Sequence, residues 1–215
     1  MEKNRKRLVI RTILIIVVTI ILLLIAHTCR NYFIGKEIMR NMIRYMGSTN
    51  YHFTEKAINK NESSIVDIYV KNDRRASFTK EDYDKVGTEE IAVYCSGDKM
   101  NIYKETTEGK KIAMIGVDNS DPINFFQGYF VDISPFEFLS SLISEVMIDG
   151  KICYKINTIF DDVDDNPDYV FEKETGLIVR LLHEDFSVKL EYEFGKVEDS
   201  IFIEPNLEEY EIIKK

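Results

Sequence analysis

Apolar and polar positions change their spacing twice along this chain. Residues 8–26 read LVIRTILIIVVTIILLLIA, interrupted only by Arg11, Thr12 and Thr19. A helix rises about 1.5 Å per residue, so about 20 apolar residues cross a hydrocarbon core of about 30 Å. The run from Leu8 to Ala26 is long enough, and Arg11 can reach the interface near its start. A segment apolar on every side predicts a membrane span over a buried core helix. A cleavable signal is the sharper competitor. Its apolar region is usually about 7–15 residues, and His27, Thr28, Cys29 and Arg30 offer no small-x-small cleavage site. Cys29 invites an acylated-lipoprotein reading, but Ala26, His27 and Thr28 depart from a lipobox at each place. The residues favour an uncleaved anchor over both.

A second helical spacing follows in residues 31–46. Phe33, Ile34, Ile38, Met42, Ile43 and Tyr45 or Met46 recur between Lys36, Glu37, Arg40, Asn41 and Arg44. This predicts an amphipathic helix with Gly47 as its stop. Such a helix lies either on lipid or on the domain's own sheet, and a stripe of ordinary width favours the sheet.

From Tyr51 the period shortens to two. Residues 51–56, 64–71, 90–96, 100–105 and 111–116 read as strands, followed by 146–148, 151–160, 169–173, 177–183, 188–194 and 200–203. Leu190, Tyr192 and Phe194 alternate with Lys189, Glu191 and Glu193, the mark of a half-buried strand. Asp149-Gly150 between two apolar runs predicts a hairpin, because a type I′ turn needs positive φ at both central residues. Turns recur about every ten residues, which suggests an antiparallel meander, sandwich or open barrel. Residues 121–144 break the pattern with Phe125, Phe126, Tyr129, Phe130, Phe136 and Phe138. Within them, Ser134-Pro135-Phe136-Glu137 predicts a second helix running to about Ser144.

Charge sharpens this picture. Residues 1–44 hold nine Lys or Arg against two Asp or Glu, a net of +7, and residues 45–215 hold 19 against 35, a net of −16. Lys3, Arg5, Lys6, Arg7 and Arg11 crowd one flank of the apolar run. That bias predicts a cytoplasmic N-terminus in the cell membrane and an extracytoplasmic domain. The division is 1–30 for tail and anchor, and 31–215 for one domain of antiparallel sheet with helices, an α+β fold. An acidic body is repelled by anionic head groups, so it is expected to stand off the bilayer. It also lacks the basic stripe of a nucleic-acid binder.

Candidate chemistry is sparse. His27, His52 and His183 have no paired spacing for zinc, and no nucleophile elbow, phosphate loop or dinucleotide fingerprint is present. The expectation is a non-catalytic protein with no cofactor. The loop Asp161-Asp162-Val163-Asp164-Asp165 could offer oxygens to a cation, but Pro167 and Lys173 occupy the places where an EF-hand needs Gly and Glu. A solvated acidic loop is favoured. Cys95 and Cys153 fall in predicted strands as either a disulfide or two buried thiols. The six aromatic residues of the insertion could form a lid over a cavity for an acyl chain, or close the core.

The run Val146-Met147-Ile148-Asp149-Gly150-Lys151-Ile152-Cys153-Tyr154-Lys155-Ile156, the hairpin Tyr169-Val170-Phe171-Glu172-Lys173-Glu174-Thr175-Gly176-Leu177-Ile178-Val179-Arg180 and the ending Phe202-Ile203-Glu204-Pro205-Asn206 resemble the LolA/LppX/RseB-type superfamily, associated with lipoprotein sorting. The resemblance implies an incomplete antiparallel barrel (half-barrel) of about eleven strands packed on one or two helices. It also implies a lipid or lipidated protein bound in the concave face, or an envelope protein partner that the domain senses or regulates, and no catalytic residues. An anchored chain departs from carriers released from the membrane. That shifts the expectation from shuttling towards local binding or sensing, with a regulatory module lacking a cavity as the alternative.

Overall fold

The computed structural model describes residues 2–46, 48–59, 62–83, 86–97, 99–118, 135–139, 141–157 and 168–213. One helix, α1, runs from Glu2 to Met46, about 68 Å at the usual rise. It joins the two helices expected from the sequence into one. No Pro or Gly stands between Ala26 and Asn31 to end it. Gly35 is tolerated inside it for a packing reason: a Cβ there would lie 2.5 Å from the Phe138 ring. Val9 to Ile25 are exposed on all sides, whereas Asn31, Ile34, Ile38 and Met42 are buried at spacings of three and four. The second part is therefore a stripe packed on the domain, as its width suggested.

Among the described residues twelve strands follow: β1 Asn50–Asn59, β2 Glu62–Lys71, β3 Arg74–Tyr83, β4 Gly87–Ser96, β5 Lys99–Glu105, β6 Lys111–Asp118, β7 Leu142–Ile148, β8 Lys151–Asn157, β9 Asp168–Glu172, β10 Ile178–Leu182, β11 Phe186–Phe194 and β12 Glu211–Ile213. They form one sheet in the order β12-β6-β5-β4-β3-β2-β1-β11-β10-β9-β8-β7. Neighbours are antiparallel except β12, which joins β6 in parallel. The β1–β11 pairing, with Tyr51 opposite Phe194 and Phe53 opposite Tyr192, welds two meanders together. The described sheet is open, with β12 and β7 at its ends.

Three sequence expectations change. The helix expected from Pro135 to about Ser144 is only a 3-10 turn, Pro135–Phe138. Beyond it the chain becomes β7, whose register on β8 runs back from the Asp149-Gly150 turn to Leu142 opposite Asn157. Residues 200–203, expected as a strand, lie largely in a 3-10 turn, Asp199–Phe202. Strands β3 and β12 were not anticipated. The Asp149-Gly150 turn is as expected, with φ of 51° and 78°.

The core divides into two clusters on the helix side of the sheet. The first gathers Ile34 and Ile38 of α1 with Phe138, Tyr154, Ile156, Phe171, Ile178, Leu181, Val188 and Leu190. The second comprises Tyr51, Phe53, Ile68, Val70, Val93 and Cys95, all from strands.

The chain after β11 straps across the other face. Asp199 pairs with Arg74 and with Lys71, at 3.2 Å for the latter. Glu204 accepts from the Tyr103 hydroxyl at 2.5 Å and from Asn101 Nδ2 at 2.8 Å. Beneath the strap, His52, Tyr69, Phe78, Tyr94, Tyr103 and Tyr210 form a continuous row of ring contacts.

Candidate functional site

The second cluster builds an apolar floor. Period-two alternation puts Val66, Ile68 and Val70 of β2 on one face, and Ile91, Val93 and Cys95 of β4 on the same face. Met100 and Ile102 of β5 extend it. Between β2 and β4, strand β3 contributes Ser77, opposite Ile68 and Val93, and Thr79, opposite Val66 and Ile91. The floor is thus apolar at its flanks and hydroxyl-bearing along its middle, and its cluster residues are 1–8% exposed. The sequence resemblance pointed to the concave sheet face, and the residues named for it were those of the aromatic insertion. The signal for the floor was present in the alternation of residues 66–70 and 91–95.

Of the six expected lid residues, Phe125, Phe126, Tyr129 and Phe130 lie outside the described residues, as does the acidic loop Asp161 to Asp165. Phe138 is 3% exposed and packs against Phe171 with ring centroids 6.1 Å apart. It packs in the core beside Gly35. Phe136 is exposed and stands 5.7 Å from Tyr32 on α1. Cys95 and Cys153 are buried free thiols on strands seven places apart in the sheet, so the candidate disulfide is not formed. Burial, with a smaller contribution from Glu172, pushes the Cys153 thiol pKa up.

A groove of about 410 Å³ opens where β10 and β11 part. Their described pairing runs only from Leu182↔Ser187 to Arg180↔Lys189, while β11 continues to Phe194. Tyr45, Leu177, Val179, Leu190, Tyr192 and Phe194 line it. Its rim is self-neutralising: Asp149 meets Arg180 at 3.2 Å and Lys189 at 3.4 Å, and Glu191 meets Lys189 at 2.8 Å and Lys56 at 3.2 Å. The hydrogen bond from Arg180, then that from Lys189, holds the Asp149 carboxyl below its ordinary value.

The Thr175-Gly176-Leu177 turn between β9 and β10 seats α1. Thr175 Oγ1 donates to Glu172 at 3.0 Å and accepts from the Leu177 amide at 3.2 Å. Asn41 Nδ2 of the helix donates to the Lys173 carbonyl at 2.8 Å. Tyr154 donates to Glu37 at 3.1 Å, and Lys173 lies 5.2 Å above the Tyr154 ring. Burial is the main cause of the raised Tyr154 pKa.

Among the described residues no group of three His, Cys, Asp or Glu could hold a metal ion. His52 Nε2 lies 3.0 Å from Asp67 Oδ1, and Thr54 Oγ1 donates to that same oxygen at 2.6 Å. The hydroxyl proton points at the carboxylate. The imidazole is stacked flat on Tyr69 with centroids 4.1 Å apart. This cluster joins β1 to β2 on the strapped face, away from the apolar floor.

No family model and no curated protein matches the chain. Solved structures give weak likenesses. A chain of the Pseudomonas aeruginosa MucA/MucB complex aligns with 78% of this chain and 60% of its own length, at 9% identity and a TM-score of 0.38. A second structure, MucB in complex with MucA(peri), gives 10% identity, 78% and 58% coverage, and 0.38. PNGF-II gives 12% identity over 78% of this chain and 32% of that one, at 0.30. This chain therefore spans about three-fifths of the first two and a third of the last. At these scores the likeness assigns neither fold nor activity.

Proposed function

We propose that this chain is a membrane-tethered, extracytoplasmic binding domain of LolA-like character. It takes an apolar chain, from a lipid or a lipidated protein, against the apolar floor of its sheet. One observation carries this reading. Among the described residues the sheet's inner face carries a second apolar cluster, made entirely of strand residues and 1–8% exposed, apart from the cluster that α1 packs against. Apolar surface of that kind binds acyl chains without directional chemistry. The anchor supports the same reading, since α1 carries a segment long and apolar enough to cross a membrane, with none of its most apolar window buried. Native mass spectrometry of the full-length chain, released from detergent, tests it. A retained lipid adduct is expected. Absence of any adduct, with no stabilisation by added fatty acid, would sink the acyl-chain reading.

A second reading is an interaction module for an envelope protein. It is favoured by β7, the end strand of the described sheet, where Leu142 and Met147 are exposed. A strand edge of that composition accepts an extended segment of a partner. Cross-linking from β7 that captures a protein in the absence of any lipid adduct would favour this reading.

A further inference from the structure

We infer that the domain rests on the bilayer surface through a collar formed by Tyr32, Phe33, Phe136 and Leu142, which dips into the lipid interface. The inference rests on the reading of residues 8–26 as an anchor. Helix α1 has no joint between that run and the domain, so the height of each residue above the membrane follows from helix geometry. Phe33 lies seven residues beyond Ala26, about 10 Å of rise. Helical side chains lean towards the N-terminus, which here is towards the lipid. The interfacial layer is roughly 5–7 Å deep in each leaflet. Phe33 is 66% exposed, Phe136 67% and Leu142 61%.

These residues converge at one end of the domain. Tyr32 makes ring contacts with Phe33 at 5.9 Å and with Phe136 at 5.7 Å. Arg30 donates to the Ile143 carbonyl at 3.3 Å, next to Leu142, and His27 and Leu142 line the same shallow hollow. Aromatic rings are favoured where one side is apolar and the other wet. Exposed Arg30 and Lys36 stand three residues either side of Phe33, which suits an anionic head-group layer. The acidic Asp168 in that hollow is paired with Lys155 at 2.6 Å.

The chain contains no Trp, so single substitutions create clean depth reporters. Phe33→Trp, Phe136→Trp, Leu22→Trp and Ile203→Trp, each in the full-length chain, would be reconstituted into phosphatidylcholine–phosphatidylglycerol vesicles containing lipids brominated at shallow or deep acyl positions. Leu22→Trp should be quenched best by deep bromines. Phe33→Trp and Phe136→Trp should lose emission to shallow bromines. Ile203→Trp, on the strap beyond the far end of α1, should be untouched. If Leu22→Trp is quenched while both collar positions keep water-like, unquenched emission, the collar is overturned and the anchor stands. Quenching of Ile203→Trp to the same degree as the collar overturns it too, since the domain then lies flat. An unquenched Leu22→Trp removes the anchor and the collar with it.

Discussion

Gly176 touches the backbone of α1 at Ile38: a Cβ at position 176 would stand 2.1 Å from the Ile38 carbonyl oxygen and 2.7 Å from the Met42 amide nitrogen. Its φ is +70°. The turn must therefore carry a residue without a side chain for two separate reasons, left-handed backbone and absence of space.

Gly176→Ala isolates that relationship. Left-handed strain costs about 1–2 kcal/mol and forced overpacking about 1–3, so a loss on the order of 3 kcal/mol is expected in denaturant unfolding of the detergent-solubilised chain. Gly195→Ala is the control. Its φ is +76° with nothing within 4 Å, so only strain of about 1 kcal/mol applies. Equal losses at the two positions would mean that the helix is not seated on the turn.

Asn31 is fully buried, and its Nδ2 donates to the Ser141 carbonyl at 2.8 Å and to the Leu139 carbonyl at 3.3 Å. Asn31→Ala leaves both carbonyls short of a donor, at a cost of about 1–3 kcal/mol. Hydrogen exchange should rise first in residues 135–148, ahead of β1 to β6. Uniform loss of protection across the sheet would contradict this local role.

The strap should loosen in acid. Arg74, and after it Lys71, hold the Asp199 carboxyl below its ordinary value of 3.8. A depressed carboxylate contributes stability that is complete above its unfolded pKa and is lost as pH falls through the lowered one. Protease sensitivity of residues 196–213 should therefore stay constant from pH 7 to about 5 and rise below about pH 4. Asp199→Asn should show the acid level of cleavage already at pH 7.

Thiol labelling reports burial. Cys29 is exposed while Cys95 and Cys153 are buried. A maleimide added to the folded, detergent-solubilised chain should add one label, at Cys29, and three labels after denaturation. Two labels that appear only after reduction would reinstate a disulfide.

Much of the fold was legible in the sequence. The apolar run announced itself by length, and most strands by alternation, because one face of each is buried. Strand β3 stayed hidden because its inner face presents Arg75, Ser77, Thr79 and Glu81. Such a strand is held by its neighbours' hydrogen bonds, which leave no hydropathy trace. Ser134-Pro135-Phe136-Glu137 misled for a related reason. Its local helical start is overridden within four residues by the β7–β8 register, and tertiary pairing of that length outweighs propensity. The residues of the floor could not be picked out one by one, because it joins β2 to β4 and β5 across about 20 to 35 positions of chain. The Thr-Gly-Leu turn was recognised as a pattern, but its meeting with Ile38 lies 138 residues away along the chain and could not be read locally.

The unbroken course of α1 makes the domain's compass bearing a matter of residue count. Each residue inserted between Ala26 and Asn31 turns everything beyond it by about 100° about the helix axis and lifts it by about 1.5 Å. One added alanine would swing the apolar floor to another azimuth. Seven, close to two full turns, would restore the heading and leave only a change in altitude. The continuous helix thus works as a keyed shaft, and the bearing of the sheet relative to residues 8–26 is set by the count of residues between them.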